Sequence, residues 1–405
     1  MSETVGKRSA ARGLLVLTIG LCGVFTLAPA GAAPNPSGRA QADVSFPLNW
    51  NTTAIGLVSS AAERPTNISI GRDGGYSVPL DGNKSFWIFG DTMVRTLDQV
   101  SKVLFFSPGS SVAIGPTSPT QLPTDLREVI PNVGIAPLLS KPITPAFLPK
   151  PKVAYLAGTR NFCSPAAGRF AARWPTGATR LPGSPNILIT FVDACVNGPQ
   201  STVEGFGVAI WSSKTFKFVL PATDLVTPTA PGRQLNWATV WTSPIPQANG
   251  SVDFFSTADD PTQPGTSLLG AAHVAKGASL IKLASYVSQT LPGPLNGSFP
   301  GRLLHVATYP GQQPGTMTYR AIGSQFSLGT ARISSAPSLT GPWSDDGSAA
   351  LPDCPRPQGT YCWSLIGHPE LSTSSSLVVS YYAPGTVRDY GHVRLVRLTP
   401  ITPTP

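Results

Sequence analysis

Asp73-Gly-Gly-Tyr-Ser-Val-Pro-Leu-Asp-Gly-Asn-Lys-Ser-Phe-Trp-Ile-Phe-Gly-Asp91-Thr92 reads as a β-hairpin that carries one carboxylate at each end. Gly75–Leu80 suits one strand and Ser85–Gly90 a strongly apolar second one. Between them, Asp81-Gly-Asn-Lys84 is turn chemistry, because Gly and Asn tolerate positive φ. A register symmetric about Gly82 sets Asp73 opposite Asp91 at the open end of the hairpin, on one face. Directly opposed like charges destabilise a sheet, so the pair asks for a chemical reason. Glycoside hydrolysis offers one, since it needs one carboxyl as acid and another as base or nucleophile. The structural alternative is a pair of solvated caps at strand ends, with the Gly-Gly step shifting the register.

The same punctuation recurs along the chain. Its 405 residues include 40 Gly and 43 Pro with only 12% charged side chains, and no long amphipathic helical stretch opposes an all-β reading. Apolar runs recur as Phe86–Asp91, Ile187–Asp193, Val252–Asp259, Leu303–Tyr309 and Leu377–Tyr382. Four are followed by a further strand, at Gly205–Ile210, Ala271–Ala275, Gly329–Ser334 and Gly391–Arg397. Five such repeats predict a five-bladed β-propeller, with a β-sandwich or two β domains as the alternative. The innermost strands of a propeller converge on a central channel, so polar residues at one end of them share one pocket. Residues 46–398 would form this domain, with the Pro- and Ser-rich stretch 107–152 as a long surface excursion and 399–405 as a Pro/Thr tail.

Residues 1–32 read as a signal peptide. Lys7, Arg8 and Arg12 precede an apolar stretch from Gly13 to Leu27, and Ala28-Pro-Ala30 or Ala30-Gly-Ala32 supplies a cleavage site. Uncleaved, the segment would be a membrane anchor. Cys22 follows Leu21, where a lipoprotein signal wants a small residue. Residues 33–45 form a flexible leader, and no later run is long enough to span a bilayer. The mature protein is expected to be secreted and monomeric, without stable membrane insertion. It keeps Cys163, Cys195, Cys354 and Cys362, an even number that favours two disulfides in an exported chain. Sequence closeness favours Cys163–Cys195 and Cys354–Cys362 among the three possible pairings. A zinc site would want Cys-x-x-Cys or ligand-spaced His, and neither is present.

The net charge of +9 falls to +7 once the first 32 residues are set aside, and the cations are scattered. Nucleic-acid binding would want a basic stripe with interleaved aromatics, so no such partner is expected. Gly-x-Ser-x-Gly, a phosphate loop and His-Glu-x-x-His are all missing from the sequence. No cofactor and no metal are expected, although Asp345-Asp346, read as a solvated loop, leaves Ca²⁺ open.

The Asp73–Thr92 stretch resembles the first blade of the DUF4185 family. Ala336-Pro-Ser-Leu-Thr-Gly-Pro-Trp343, Gly367-His-Pro-Glu370-Leu and Leu377-Val-Val-Ser-Tyr381 are similar to blocks near the end of those propellers. The likeness extends over most of residues 55–398, while 95–235 matches in strand pattern alone. Some members are endo-D-arabinanases of glycoside hydrolase family 183, which cut α-linked D-arabinofuranose chains of mycobacterial arabinogalactan and lipoarabinomannan. The resemblance implies a polysaccharide substrate, an inverting mechanism, and Asp73 and Asp91 as the catalytic pair. The divergent middle blades leave arabinan specificity open.

Desolvation by the apolar run before Asp91 points to that residue as the acid. Glu370 and His368 are candidates for binding substrate, or else hydrogen-bond between blades. Trp237, with Trp241, offers a stacking platform for a sugar or simply packs in the core. Asp193 and Asp259 read as blade-closing turn residues, and His273, His305 and His392 as structural. The rival from another class is a non-catalytic cell-surface propeller that binds glycan or protein.

Overall fold

The computed structural model describes residues 48–401, apart from gaps of which the larger fall at 118–124, 137–145, 152–162, 227–241, 260–266, 281–288, 291–304, 355–361 and 384–390. The expected signal peptide and leader lie outside the described residues.

The described chain is a five-bladed β-propeller. Blade 1 starts from the hairpin of β3 (Tyr76–Leu80) and β4 (Lys84–Phe89). Gly82 and Asn83 take φ of 73° and 53° in its turn, a region that Gly and Asn reach at low cost. Tyr76 pairs with Ile88 and Leu80 with Lys84, so the register is symmetric about Gly82 as the sequence predicts. Outward from β4 come β7 (Ser111–Pro116), β8 (Arg127–Ile130) and β9 (Gly134–Ile135). Phe86, Trp87, Ile88 and Phe89 are all fully buried, as expected for a strand covered on both faces. The described residues of the stretch 107–152 are therefore no surface excursion. They supply outer strands of blade 1, and Val112, Val129, Phe147 and Leu148 sit in the core. Their Pro and Ser content marks the turns, while burial against β4 makes the strands.

The hairpin also does not end at the aspartates. β2 (Ile68–Arg72) and β5 (Thr92–Thr96) resume it in the same register, with Arg72 opposite Thr92. β6 (Val103–Ser107) joins the far side of β5. The expected open end is thus an interruption in one long ribbon.

Blade 2 is β10 (Arg169–Arg180), β11 (Asn186–Asn197), β12 (Gln200–Ser212) and β13 (Lys217–Val226). Blade 3 is β14 (Thr242–Pro246), β15 (Val252–Asp259), β16 (Ser267–Val274) and β17 (Gln289–Thr290). Blade 4 is β18 (His305–Pro310), β19 (Met317–Gln325), β20 (Thr330–Ala336) and β21 (Ser344–Ala350). Blade 5 is β22 (Trp363–Gly367), β23 (Leu377–Ala383) and β24 (His392–Pro400), completed by the N-terminal β1 (Leu48–Leu57) antiparallel to β24. β1 also pairs in parallel with β21, so the last two blades share one eight-stranded sheet.

The apolar repeats fall on second strands in blades 1, 2, 3 and 5, but in blade 4 the run lands on the innermost strand, β18. The second strand there is β19, whose Thr318, Tyr319 and Arg320 are only half-buried. Asp345 and Asp346 lie within β21 rather than in a solvated loop, bonded to Arg332 at 3.1 Å and Arg320 at 2.9 Å. Disulfides join Cys163 to Cys195 and Cys354 to Cys362, with Cα–Cα distances of 5.6 and 6.1 Å. The core lies in the seams between blades: Val78, Ile88 and Phe147 pack with Ile189, Phe191 and Trp211. On the other side of blade 1, Trp87 and Phe89 pack with Val378, Val393 and Leu395.

Candidate active site

In the interruption of the ribbon, the two aspartates stay joined through their backbones. Asp73 N–H donates to the Asp91 carbonyl at 2.9 Å, and Gly90 N–H donates to the Asp73 carbonyl at 2.6 Å. Two glycines permit this. Gly74 has φ of +66°, and a Cβ on Gly90 would stand 3.2 Å from the Asp73 carbonyl oxygen.

Neighbouring blades aim neutral donors at both carboxyls. Asp73 Oδ1 accepts the Trp363 indole N–H at 2.5 Å and the Ser364 hydroxyl at 3.3 Å. Trp363 opens β22 directly after the disulfide at Cys362 and stacks on Tyr382 with ring centroids 4.0 Å apart. Ser364 has φ of 55°, a conformation that non-glycine residues keep only where the surroundings enforce it. Asp91 Oδ1 accepts the Gly109 backbone N–H at 2.7 Å and the Trp174 indole N–H at 2.9 Å. Gly109, with φ of +111°, lies so close to β10 that an added Cβ would meet the Arg173 nitrogen at 3.2 Å.

Burial, with the Asp91 charge adding to it, pushes the Asp73 carboxyl up to about 7 against the pull of Trp363 and Ser364. Burial pushes Asp91 up to about 6 against Gly109 and Trp174. Asp91 is 7% exposed, while Asp73 as a residue is half-buried. Both carboxyls are thus set to take up or release a proton near neutral pH.

Further along β3 lies a second polar group. Burial and the Asp73 charge raise the Tyr76 hydroxyl above its ordinary value, and the Tyr76 ring lies 5.9 Å from that of His305. His305 Nδ1 accepts the Gly367 backbone N–H at 3.2 Å. Burial lowers this imidazole to about 4, so it is neutral at physiological pH. Ser77 Oγ hydrogen-bonds both Glu370 Oε1 and His368 Nδ1, the latter at 2.5 Å, and His368 Nε2 meets Ser380 Oγ at 2.8 Å. Burial pushes Glu370 up to about 6, against the Ser77 bond.

The expected residues therefore separate. Asp73 and Asp91 meet. Glu370 sits on a 3-10 turn, Pro369–Leu371, where its carboxylate meets the Ser77 hydroxyl rather than either aspartate. His368 is 0% exposed with both ring nitrogens engaged, so it braces β3 against β23 and does not reach a substrate. Trp237 and Trp241 lie outside the described residues. Asp193 is not a turn residue: it lies within β11, fully buried, 2.8 Å from Arg173 Nε. Asp259 ends β15. His273 pairs with Asp253 at 2.6 Å and His392 lies 3.4 Å from Ser69 Oγ. Sequence reasoning missed Trp363, Ser364, Trp174, Gly109, Tyr76 and His305. One signal was available, since a cysteine bridge next to Trp363 fixes where β22 begins.

No family model matches this chain, and no curated protein does. Among solved structures it is similar to a protein from Bacteroides ovatus with a provisional hydrolase assignment, at 14% identity and a TM-score of 0.52, covering 85% of this chain and 87% of that one. It also matches the catalytic domain of a family 62 α-L-arabinofuranosidase from Coprinopsis cinerea at 10% identity, over 88% and 98% of the two chains, with a TM-score of 0.44. A family 117 glycoside hydrolase from Zobellia galactanivorans matches at 11% identity over 87% and 91%, with a TM-score of 0.45. Only the first exceeds 0.5, and at such identity the likeness speaks to architecture: the chain has the five-bladed propeller fold.

Proposed function

We propose that this protein is a secreted glycoside hydrolase acting on a neutral cell-envelope polysaccharide, D-arabinan above all. The observation that carries the reading is the carboxyl pair at the break in the ribbon. Both groups are held by neutral donors and raised toward neutrality, and among the described residues no cation pairs with either.

The electrostatics favour Asp73 as the acid and Asp91 as the base, the reverse of the order expected from the apolar run before Asp91. That run faces the seams between blades, and Asp91 gains two N–H donors that favour its ionised form. Asp73, raised both by burial and by the Asp91 charge, keeps the proton. In an inverting reaction Asp73 gives that proton to the glycosidic oxygen as the bond to the anomeric carbon breaks. Asp91 takes a proton from the water that attacks the opposite face. The product is a hemiacetal of inverted configuration, and solvent resets both groups.

The test is product release from mycobacterial arabinogalactan and a panel of other polysaccharides, with NMR of the first anomer formed. Asp73→Ala should still cleave an aryl glycoside with a good leaving group, which needs no acid, whereas Asp91→Ala should not. No release from any polysaccharide by folded, disulfide-bonded protein would favour the alternative, a non-catalytic glycan-binding propeller.

A further inference from the structure

Trp363 and Ser364 stand where β22 is least able to hold them by itself. β22 ends its sheet and pairs with β23 alone. Their ladder shifts after the Trp363–Tyr382 pair and resumes at Ile366 with Ser380. Both donors to Asp73 therefore sit in an irregular stretch, where Ser364 adopts φ of 55°. The bond from Cys362 to Cys354 ties this stretch down on its N-terminal side. Cys354 closes a turn that is itself well anchored. Its N–H donates to the Leu351 carbonyl at 3.2 Å, and the Tyr381 hydroxyl donates to the Pro352 carbonyl at 2.8 Å. Arg394 pairs with Asp353 at 2.6 Å. The bridge thus runs from a fixed turn to the residue before Trp363.

The two bridges differ in access. Cys163 and Cys195 are both enclosed, at 0% and 3% exposure. Cys362 is enclosed as well, but its partner Cys354 is only half-buried. Thiol–disulfide exchange needs a sulfur within reach of an attacking thiolate, and of the two bridges only Cys354–Cys362 has such an end.

We infer that the Cys354–Cys362 bridge is a redox-operated clamp on Asp73, closed when oxidised and released by a dithiol. One thiolate of the dithiol attacks the Cys354 sulfur and expels Cys362, which takes up a proton. The second thiol then forms the reagent's own disulfide and frees Cys354 as a thiol, so two electrons pass to the bridge. With the tie gone, the Trp363 indole N–H and the Ser364 hydroxyl are no longer held against Asp73. The other titratable groups acting on Asp73 are Asp91 across the ribbon and Tyr76 on β3, and both belong to blade 1. Any effect of the clamp on turnover rests on the reading of Asp73 as the acid, whereas its effect on the Asp73 proton does not.

Carbon-13 NMR titration of the Asp73 carboxyl tests it, with the signal assigned through Asp73→Asn. The titration is run on oxidised protein and again after dithiothreitol treatment without denaturant. Alkylation and peptide mass mapping should find Cys354 and Cys362 open while Cys163 and Cys195 stay bridged. Asp73 should then titrate about 1 pH unit higher, because two hydrogen bonds to its ionised form are lost. Cys354→Ser/Cys362→Ser should show the raised value without reductant and no further response to it. Trp363→Phe, which keeps the bridge, should raise Asp73 in the oxidised state and blunt its response to reductant. Circular dichroism melts check that each form is folded. A bridge that dithiothreitol cannot open in the folded protein, opening that unfolds the chain, or an Asp73 titration indifferent to opening would overturn the clamp. The two readings fail separately. If no polysaccharide is cleaved yet Asp73 responds to opening, hydrolysis is discarded and the clamp stands. Cleavage by a protein whose Asp73 ignores the bridge does the opposite.

Discussion

Arg173 and Trp174 are neighbours on β10 and serve two aspartates that look alike in sequence. Successive side chains of a strand point to opposite faces. Arg173 turns to Asp193 at 2.8 Å and to Asp224 at 2.6 Å, while Trp174 turns to Asp91 at 2.9 Å. Both aspartates follow apolar runs that reach into the blade seams. Burial raises Asp193 too, opposed by Arg173 and aided by Asp224. What separates them is the partner and the seal. Asp193 is wholly enclosed around a cation, whereas Asp91 is held by uncharged N–H groups beside a second carboxyl that has no cation among the described residues. The ionic partner makes a brace, and the neutral one leaves a proton free to move.

If that contrast is right, neutral isosteres should affect the two aspartates differently. Asp73→Asn and Asp91→Asn should each lower kcat about 10²–10⁴-fold, the usual worth of general acid–base catalysis, while far-ultraviolet melts show a fold at least as stable. Arg173→Ala should act on the other side of the comparison. Leaving Asp193 enclosed without its cation should cost about 3–5 kcal/mol in denaturant unfolding. A variant that kept its stability would mean that Asp193 is protonated and needs no partner.

Smaller changes sharpen the same contrast. Trp174→Phe removes a donor that favours ionised Asp91, so the lower limb of the kcat/KM profile should move to higher pH. In the wild type that profile should be a narrow bell between limbs near 6 and 7, set by Asp91 and Asp73. Gly109→Ala should strain a backbone at φ of +111° and press on Arg173. The cost should be about 1–3 kcal/mol, with a loss of activity as the N–H to Asp91 shifts.

The mildest effect is on stability against pH. Asp73, Asp91 and Glu370 all have folded values above their unfolded ones. The folded state therefore binds more protons than the unfolded chain from about pH 4 up to about 7. Their contribution is fully present below that window and is lost as pH rises through it. Thermal melts of Asp73→Asn should show a shallower loss than the wild type, with the largest gain at pH 8.

Much of this was legible beforehand, for identifiable reasons. Gly82 and Asn83 fix the turn, the turn fixes the register, and the register places Asp73 against Asp91. Apolar second strands such as β4 and β11 announce themselves because neighbouring blades cover both faces. The innermost strands do not, since a channel-lining strand such as β10 carries Arg, Thr and Gly and has no clean alternation. For the same reason Trp174 drew no attention and His305 read as structural. β7 and β8 were hidden by the Pro-rich composition around them, which reports on turns rather than on burial. Trp363 and Ser364 lie about 290 residues from Asp73, a distance that local pattern cannot bridge.

The closure of the ring has a consequence for when this protein can exist. The strand that completes blade 5 precedes every other described strand in the chain, yet its register partners run from Arg394 to Pro400, after all the other blades. Its other edge waits for Ser348 and Ala349. Until the last strand emerges, β1 is an unpaired edge and the final blade is open. Earlier blades can form seams in sequence, but the carboxyl pair reaches its full set of donors only when Trp363 and Ser364 arrive with that blade. A chain that has not yet folded β22 to β24 onto the ring would therefore lack the finished site, and the activity proposed here would switch on only once that blade has closed.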